Sequence, residues 1–313
     1  MTIIKLILAS AFLCILYYQL FVYNDIQSLL AEYKSSLKAG RSIYLLIGVF
    51  FLMPVNWVLE AKKWHLLISR WQSFTMKDAL RSVTAGVSLA ILTPGRIGEY
   101  GGRLVGVHSE NRSKALLSNF LCSISQNILN LGIGIIAATL FLKSYIDVPS
   151  SIYWIMTAVG SVLLILMIVV FLRIDVLDSI LRLGDRFKMV QSIRKNIQEV
   201  SQLSLRTRSH LLGISSIRYF IYSLQYVLLV LFFGVTGQWE VAVLGVATIF
   251  FLQSNLPLPP AFSVFARGEI AILLWSVFTT NSLGILAATF LLWIINLILP
   301  AIAGMFVLSR VKN

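Results

Sequence analysis

The sequence predicts an all-α polytopic membrane protein with about six full transmembrane helices and two re-entrant helical hairpins arranged as an inverted repeat. Three observations predict it. Of 313 residues, 58% are hydrophobic and only 12% are charged. Apolar runs recur at about the ~20 residues that a helix needs to cross ~30 Å of hydrocarbon. Two further stretches, 79–108 and 240–279, are broken near the middle by proline and glycine. Their pieces are mostly too short to cross alone, since a helix of about 14 residues reaches only ~21 Å.

Taken in order, full-length apolar segments are expected near 3–22, 42–61, 115–142, 152–172, 210–234 and 282–308. The first, TIIKLILASAFLCILYYQLFVY, carries one lysine and no small-residue cleavage site, and it exceeds a signal-peptide core, so it is read as a retained anchor. Lys and Arg crowd AKKWHLLISRWQSFTMKDALR and RIDVLDSILRLGDRFKMVQSIRKNIQEVSQLSLRTR, whereas KSYIDVPSS and GVTGQWE are poor in them. The positive-inside bias therefore places the first two stretches, with the tail SRVKN, in the cytoplasm, and both termini with them.

Threading six spans through that orientation makes each interrupted stretch leave and return on one side. The 79–108 hairpin enters from the cytoplasm and the 240–279 hairpin from outside, so span, hairpin and span occur twice in opposite sense. A sequence echo agrees: TPGRIGE and LPLPPAFSVFARGE both run proline, arginine, glycine, glutamate. For 240–279, two short tilted spans satisfy the charge count equally well. The chain is thus read as one integral membrane domain: anchor and loop at 1–40, first repeat at 41–145, connecting span and basic segment at 146–208, second repeat at 209–313. Within 173–208, Ile174, Val176, Leu177, Ile180, Leu181 and Leu183 lie among charges, as in an amphipathic surface helix or a solvated connector.

The net charge of +13 fits basic loops against anionic lipid. Membrane lipids with anionic headgroups are the expected partners, and nucleic acid is not; a homo-oligomer or a lipid-modifying partner enzyme stays open. Cys14 and Cys122 sit inside apolar runs, so neither a disulfide framework nor a metal cluster is expected. His65, His108 and His210 fall near segment ends, as interfacial or capping residues do. No Walker loop, dinucleotide glycine motif, His-rich metal spacing or nucleophile elbow occurs. No enzyme activity and no cofactor are expected, although a transferase using Glu99 or Glu269 as a carboxylate base beside a phosphate-binding arginine would look similar.

Irregular backbone at membrane depth survives only when buried in protein or lining a wet cavity. Short Gly/Pro-interrupted segments at matching positions of two halves are the best pointer to a transporter's binding site. In LTPGRIGEYGGR, a helix opening near Arg96 points its N-terminus at the bilayer interior, where an anion is favoured. If 96–108 is helical, Arg96, Glu99 and Arg103 share one face, and Gly98, Gly102 and Gly106 form a packing ridge beside it. Pro260 suits the first turn of the second returning helix. The candidate substrate-binding residues are Arg96, Glu99, Arg103, Arg218, Arg267 and Glu269, since charge at this depth is expensive unless it functions. An ordinary interfacial loop is the alternative for Arg96, Glu99 and Arg103, and snorkelling to the interface for Arg218. Asn56, Glu60, Gln126, Asn127, Asn130, Tyr222, Gln225, Gln253, Asn255 and Asn296 are further polar residues inside spans; singly, such residues more often glue helices together.

LTPGRIGEYGGRL, preceded by LEAKKWHLL and followed by a proline-rich loop and ARGE, resembles the lysylphosphatidylglycerol synthase transmembrane-region family over roughly 40–308. Arg96 stands where the family's first motif has glycine, and Gly268 separates arginine from glutamate in the second. The resemblance implies a flippase-like translocator of phospholipid or polyprenyl-phosphate-linked headgroups in the bacterial inner membrane. Arg96, Arg103 and Arg267 would engage phosphate, and Glu99 and Glu269 would pair with those arginines or with a cationic headgroup. A membrane component of lipid-linked glycan synthesis is the alternative. The soluble aminoacyl-transferase domain of the full synthase is not part of this sequence, so the chain is not expected to make lysyl-lipid.

Overall fold

Helix α1 (Ile43–Ile68) begins the part of the chain described by the computed structural model, which comprises residues 43–93, 96–176, 188–254 and 260–310. The expected anchor span 3–22, Cys14, the Pro94-Gly95 pair, Asn255 and the proline-rich loop lie outside the described residues. The chain continues through α2 (Met76–Leu92), α3 (Ile97–Gly102), α4 (Arg112–Tyr145), α5 (Ser150–Leu172) and α6 (Lys188–Ser201). It then forms α7 (Leu205–Phe232), α8 (Trp239–Ser254), α9 (Pro260–Trp275) and α10 (Ser282–Leu308). Among the described residues the fold is all-α, with ten helices and no strand.

Five helices, α1, α4, α5, α7 and α10, are long and apolar enough to cross a membrane, which marks an integral membrane protein. Their bounds follow the apolar runs, which α1, α4, α5 and α7 overshoot at one end or both. α1 continues to Ile68, past the 42–61 expectation, and α7 starts at Leu205 rather than near 210. The overshoot matters because it takes Lys63 and Trp64 out of the expected loop and buries them in a helix. A helix at the bilayer edge gains by running on, since its backbone hydrogen bonds stay satisfied where water is scarce.

Local chemistry sets the ends. Thr75 caps α2 in a reciprocal box, its hydroxyl accepting from the Asp78 N–H while Asp78 accepts from the Thr75 N–H. At the other end the Thr93 hydroxyl donates to the Leu89 carbonyl at 2.9 Å and accepts from the Gly98 N–H at 2.7 Å. That one side chain therefore joins the end of α2 to the start of α3. α3 has only six residues, and turns follow it to Val107, with Gly106 at φ 77°. The expected helix over 96–108 is thus cut short. Gly98 and Gly102 do pack, against α2: a Cβ on Gly98 would stand 2.3 Å from the Leu89 carbonyl oxygen, and one on Gly102 2.5 Å from that of Ala85. Gly106 leaves the ridge for the turn.

Helices far apart in the sequence pack together. α1 lies against α7, α2 against the C-terminal part of α10, and α8 against α4. Glycine allows both of the latter approaches: a Cβ on Gly304 would meet the Thr84 carbonyl oxygen at 2.0 Å, and one on Gly134 the Phe251 Cβ at 2.4 Å. α10 changes to a π-helical turn over Ile294–Ile298. Pro300 lies four residues after Asn296 and cannot donate to its carbonyl, which gives this turn a physical cause.

Within the basic connector, Ile174, Val200 and Leu203 are buried with Leu121, Phe171 and Leu211, and Ile197 is buried too. α6 therefore packs on the helical bundle through its apolar face, while residues 177–187 lie outside the described part. Arg208 ties this region together. Its guanidinium donates to the carbonyls of Phe171, Leu172, Ser201 and Leu203 at 2.5, 2.7, 2.8 and 3.1 Å. A cation there complements the otherwise orphaned carbonyls at the end of α5.

Candidate functional site

A polar cavity of 440 Å³ lies among α1, α2, α3, α4, α7, α8, α9 and the π turn of α10. Each element contributes from a defined register. On α1, Asn56, Glu60 and Lys63 follow one another at four and three residues, hence on one face. On α4 the same spacing presents Ser123, Gln126, Asn127 and Asn130, and on α7 it presents Arg218 and Tyr222. Arg96, Glu99 and Arg103 arrive from α3 and its flanks, and Arg267 from α9.

Glu60 is the hub of the charge network. Its Oε1 lies 2.5 Å from Arg103 Nη2, and its Oε2 lies 2.9 Å from Lys63 Nζ and 3.2 Å from Arg218 Nε. One carboxylate thus holds cations from α1, α7 and the turn after α3. Glu99 accepts from Arg103 at 2.8 Å and pairs with Arg96 at 2.8 Å. Arg96 adopts the left-handed conformation at φ 59°, the only non-glycine residue with positive φ among those described. Such a conformation costs of order 1 kcal/mol or more. It accompanies a tight entry into α3 that sets the guanidinium beside Glu99.

Five basic side chains, Lys63, Arg96, Arg103, Arg218 and Arg267, face two acidic ones, Glu60 and Glu99. The cavity therefore carries a surplus of three positive charges, with both carboxylates already bound to cations. Arg267 makes no ion pair among the described residues, and its buried Nε has no hydrogen-bond partner. Nε and Nη1 of the buried Arg103 likewise have none. Charges removed from bulk water cost several kcal/mol each unless paired or solvated, so an unmatched cationic surplus favours an incoming anion.

Of the six candidate residues read from the sequence, the cavity brings together Arg96, Glu99, Arg103, Arg218 and Arg267. Glu269, two residues beyond Arg267, is not among its lining. Arg218 is the fourteenth residue of α7, about 20 Å along it at 1.5 Å per residue. It donates to Gln126 Oε1 at 3.0 Å besides facing Glu60, so it is engaged inside the bundle and does not snorkel. Asn56, Glu60, Gln126, Asn127, Asn130, Tyr222, Gln253 and Asn296 also line the cavity. Gln225 does not: it donates to the Val49 carbonyl at 2.9 Å and joins α7 to α1, the gluing role expected of single polar residues.

Lys63, Trp57 and Trp293 line the cavity without being candidates on sequence grounds. Lys63 carries one signal, the Glu60 to Lys63 spacing of three residues, which its place in a basic stretch masks. The tryptophans carry none, because an aromatic residue in an apolar helix does not announce which way it faces. Among the described residues no group of three or more His, Cys, Asp or Glu side chains is arranged to hold a metal ion. Comparison with known protein families, curated proteins and solved structures finds no match to this chain.

Proposed function

We propose that this chain is a lipid-handling membrane protein whose cavity receives the anionic headgroup of a phospholipid or a polyprenyl-phosphate-linked lipid and passes it between leaflets. The observation that carries this reading is the surplus of three positive charges lining a cavity inside a bundle of membrane-length helices. Phosphate accepts hydrogen bonds on every oxygen, and guanidinium groups suit it best. Arg267 and the unpaired edge of Arg103 would hold it, with Arg218 and Arg96 close by. Translocation is favoured over group transfer because neither cavity carboxylate is free to act as a base: Glu60 meets three cations and Glu99 two.

The proposal includes an inverted repeat, with α2–α3 and α8–α9 as re-entrant hairpins between the spans α1 and α4 and the spans α7 and α10. The exchanged packing supports it. Each hairpin's first helix lies on the closing span of the other half, α2 on α10 and α8 on α4, with a glycine at each contact. Rocking one half against the other around the cavity would expose it alternately to the two leaflets. The reading agrees with what the motif resemblance to the lysylphosphatidylglycerol synthase transmembrane-region family implies, including an inner-membrane location with cytoplasmic termini.

Headgroup-labelled anionic lipid in proteoliposomes tests it. The wild-type chain is expected to speed transbilayer movement, and Arg267→Ala and Glu99→Gln to slow it. Movement that both variants leave at the wild-type rate would refute the translocator reading.

A further inference from the structure

The cavity is layered, and the layers can be placed from hydrogen bonds. Arg70 Nη2 donates to Thr207 Oγ1 at 2.7 Å, Arg218 faces Glu60, and Gln225 Nε2 donates to the Val49 carbonyl, so α1 and α7 run antiparallel. Lys63 Nζ donates to the Cys122 carbonyl at 3.4 Å and Arg218 to Gln126 Oε1, so α4 runs parallel to α7. One level therefore holds Glu60, Arg218 and Gln126, with Lys63 and Arg103 bound to Glu60. Four residues along each helix in the same spatial direction stand Asn56, Asn130 and Tyr222, one turn further on.

On α1, α4 and α7 that second level carries amides and an aromatic ring in place of charge. Asn56 Nδ2 donates to Asn296 Oδ1 at 2.8 Å, which brings the π turn of α10 into the same level. Tyr222 is stacked on Phe250, with centroids 5.0 Å apart and planes 14° from parallel. The Asn130 side chain makes no hydrogen bond among the described residues, nor does that of its neighbour Asn127. An amide offers two donors and an acceptor with two lone pairs, which matches a hydroxyl group in both its roles. An ammonium group is a donor only and carries charge. It would need a free carboxylate, and both cavity carboxylates are already held by arginines.

We propose that the cavity takes a phosphate ester of a neutral polyhydroxyl group, with phosphate on the arginine level and hydroxyls on the amide level, and rejects headgroups that carry an ammonium. This rests on the headgroup-binding reading above. It departs from the pairing of Glu99 and Glu269 with a cationic headgroup, because Glu99 is engaged by Arg96 and Arg103 and Glu269 does not line the cavity. The cavity's 440 Å³ falls within the span of about 300–1,000 Å³ usual for small-ligand sites. Rejection follows from the positive surplus: an ammonium group there meets like charge, and a repulsive element discriminates as well as an attractive one.

Native mass spectrometry of the full-length purified chain, titrated with defined lipids, tests the proposal. Phosphatidylinositol is expected to bind several-fold tighter than phosphatidic acid, and phosphatidic acid tighter than phosphatidylethanolamine. Asn130→Ala should abolish the preference for phosphatidylinositol over phosphatidic acid and leave phosphatidic acid binding unchanged. Asn130→Asp, which adds a carboxylate to the amide level, should raise binding of phosphatidylethanolamine. Inositol 1-phosphate identifies the source of the ester: competition at the lipid's own affinity supports the same chemistry with a soluble ligand, and its failure to compete supports a lipid. Phosphatidylethanolamine bound as tightly as phosphatidylinositol overturns the proposal. So does equal binding of phosphatidylinositol and phosphatidic acid, with Asn130→Ala silent; that result leaves the anionic-headgroup reading standing. Binding of neither acidic lipid above phosphatidylcholine overturns both.

Discussion

Glu60 and Arg103, separated by 43 positions, meet at 2.5 Å with side chains 7% and 4% exposed, and this contact joins α1 to the turn that follows α3. Around it, Lys63 and Arg218 complete a set of three cations on one carboxylate. Removing the anion would leave three basic groups facing one another. Glu60→Gln is therefore expected to destabilise the chain by about 3–5 kcal/mol, the cost of breaking a buried ion pair from one side. The double variant Glu60→Gln with Lys63→Met should recover part of that loss. Thermal unfolding in detergent measures both; a Glu60→Gln midpoint equal to wild type would show that the hub does not hold the helices.

Arg267 should behave oppositely. It makes no ion pair among the described residues, so Arg267→Ala leaves no orphaned partner. The expected outcome is an unchanged melting temperature together with weakened binding of phosphatidylglycerol vesicles. Co-sedimentation of the purified chain with such vesicles, beside a thermal melt, checks the pair of results.

α10 meets α2 through glycine, and a Cβ at Gly304 would overlap the Thr84 carbonyl at 2.0 Å. Gly304→Ala is expected to cost about 1–3 kcal/mol, as overpacked cores do. Gly213 offers a control on α7, where an added Cβ would meet nothing within 4 Å. Gly213→Ala is expected to be neutral or to stabilise by roughly 0.5–1 kcal/mol, since alanine loses less freedom in a helix. Equal melting shifts for the two variants would contradict close packing of α10 on α2.

Much of this architecture was legible in the sequence, for a physical reason: lipid imposes a length and a polarity on whatever crosses it. The run 282–308 corresponds to α10 residue for residue, and 115–142 lies inside α4, which extends three residues past it at each end. The grouping of Arg96, Glu99 and Arg103 was legible too, because their spacing of three and four residues needs only about two turns of helix. Lys63 was hidden because a lysine near a span end reads as an interfacial charge, and only the extra turns of α1 carry it inside. Arg208 was hidden for a related reason: in LRTR it resembles a solvated loop, while two of its four carbonyl partners, Phe171 and Leu172, lie 37 and 36 residues away at the end of α5. Glu269 shows the converse limit, since membership of a motif does not fix which way a helix turns its side chains.

The cap at the start of α2 gives a pH-dependent test outside the membrane-spanning helices. The Thr75 hydroxyl beside Asp78 holds that carboxyl below its ordinary value. A carboxyl with a lowered folded-state pKa contributes stability that is present above its unfolded value of about 4 and is lost as pH falls through the folded value. Thr75→Ala should cost about 1 kcal/mol at neutral pH, and the difference from wild type should shrink on acidification through that window. Hydrogen exchange of the Met76–Ala79 amides at pH 7 and pH 3 reads this directly.

Headgroup transport through this cavity requires an acidic lipid headgroup to enter it. The most direct measurement places a photoreactive benzophenone side chain at position 127, which lines the cavity, and identifies by mass spectrometry what it captures in membranes. The prediction is an adduct with an acidic phospholipid or polyprenyl-phosphate lipid that Arg267→Ala abolishes. Capture of no lipid, or of a zwitterionic lipid to the same extent with and without Arg267, would contradict headgroup binding in the cavity.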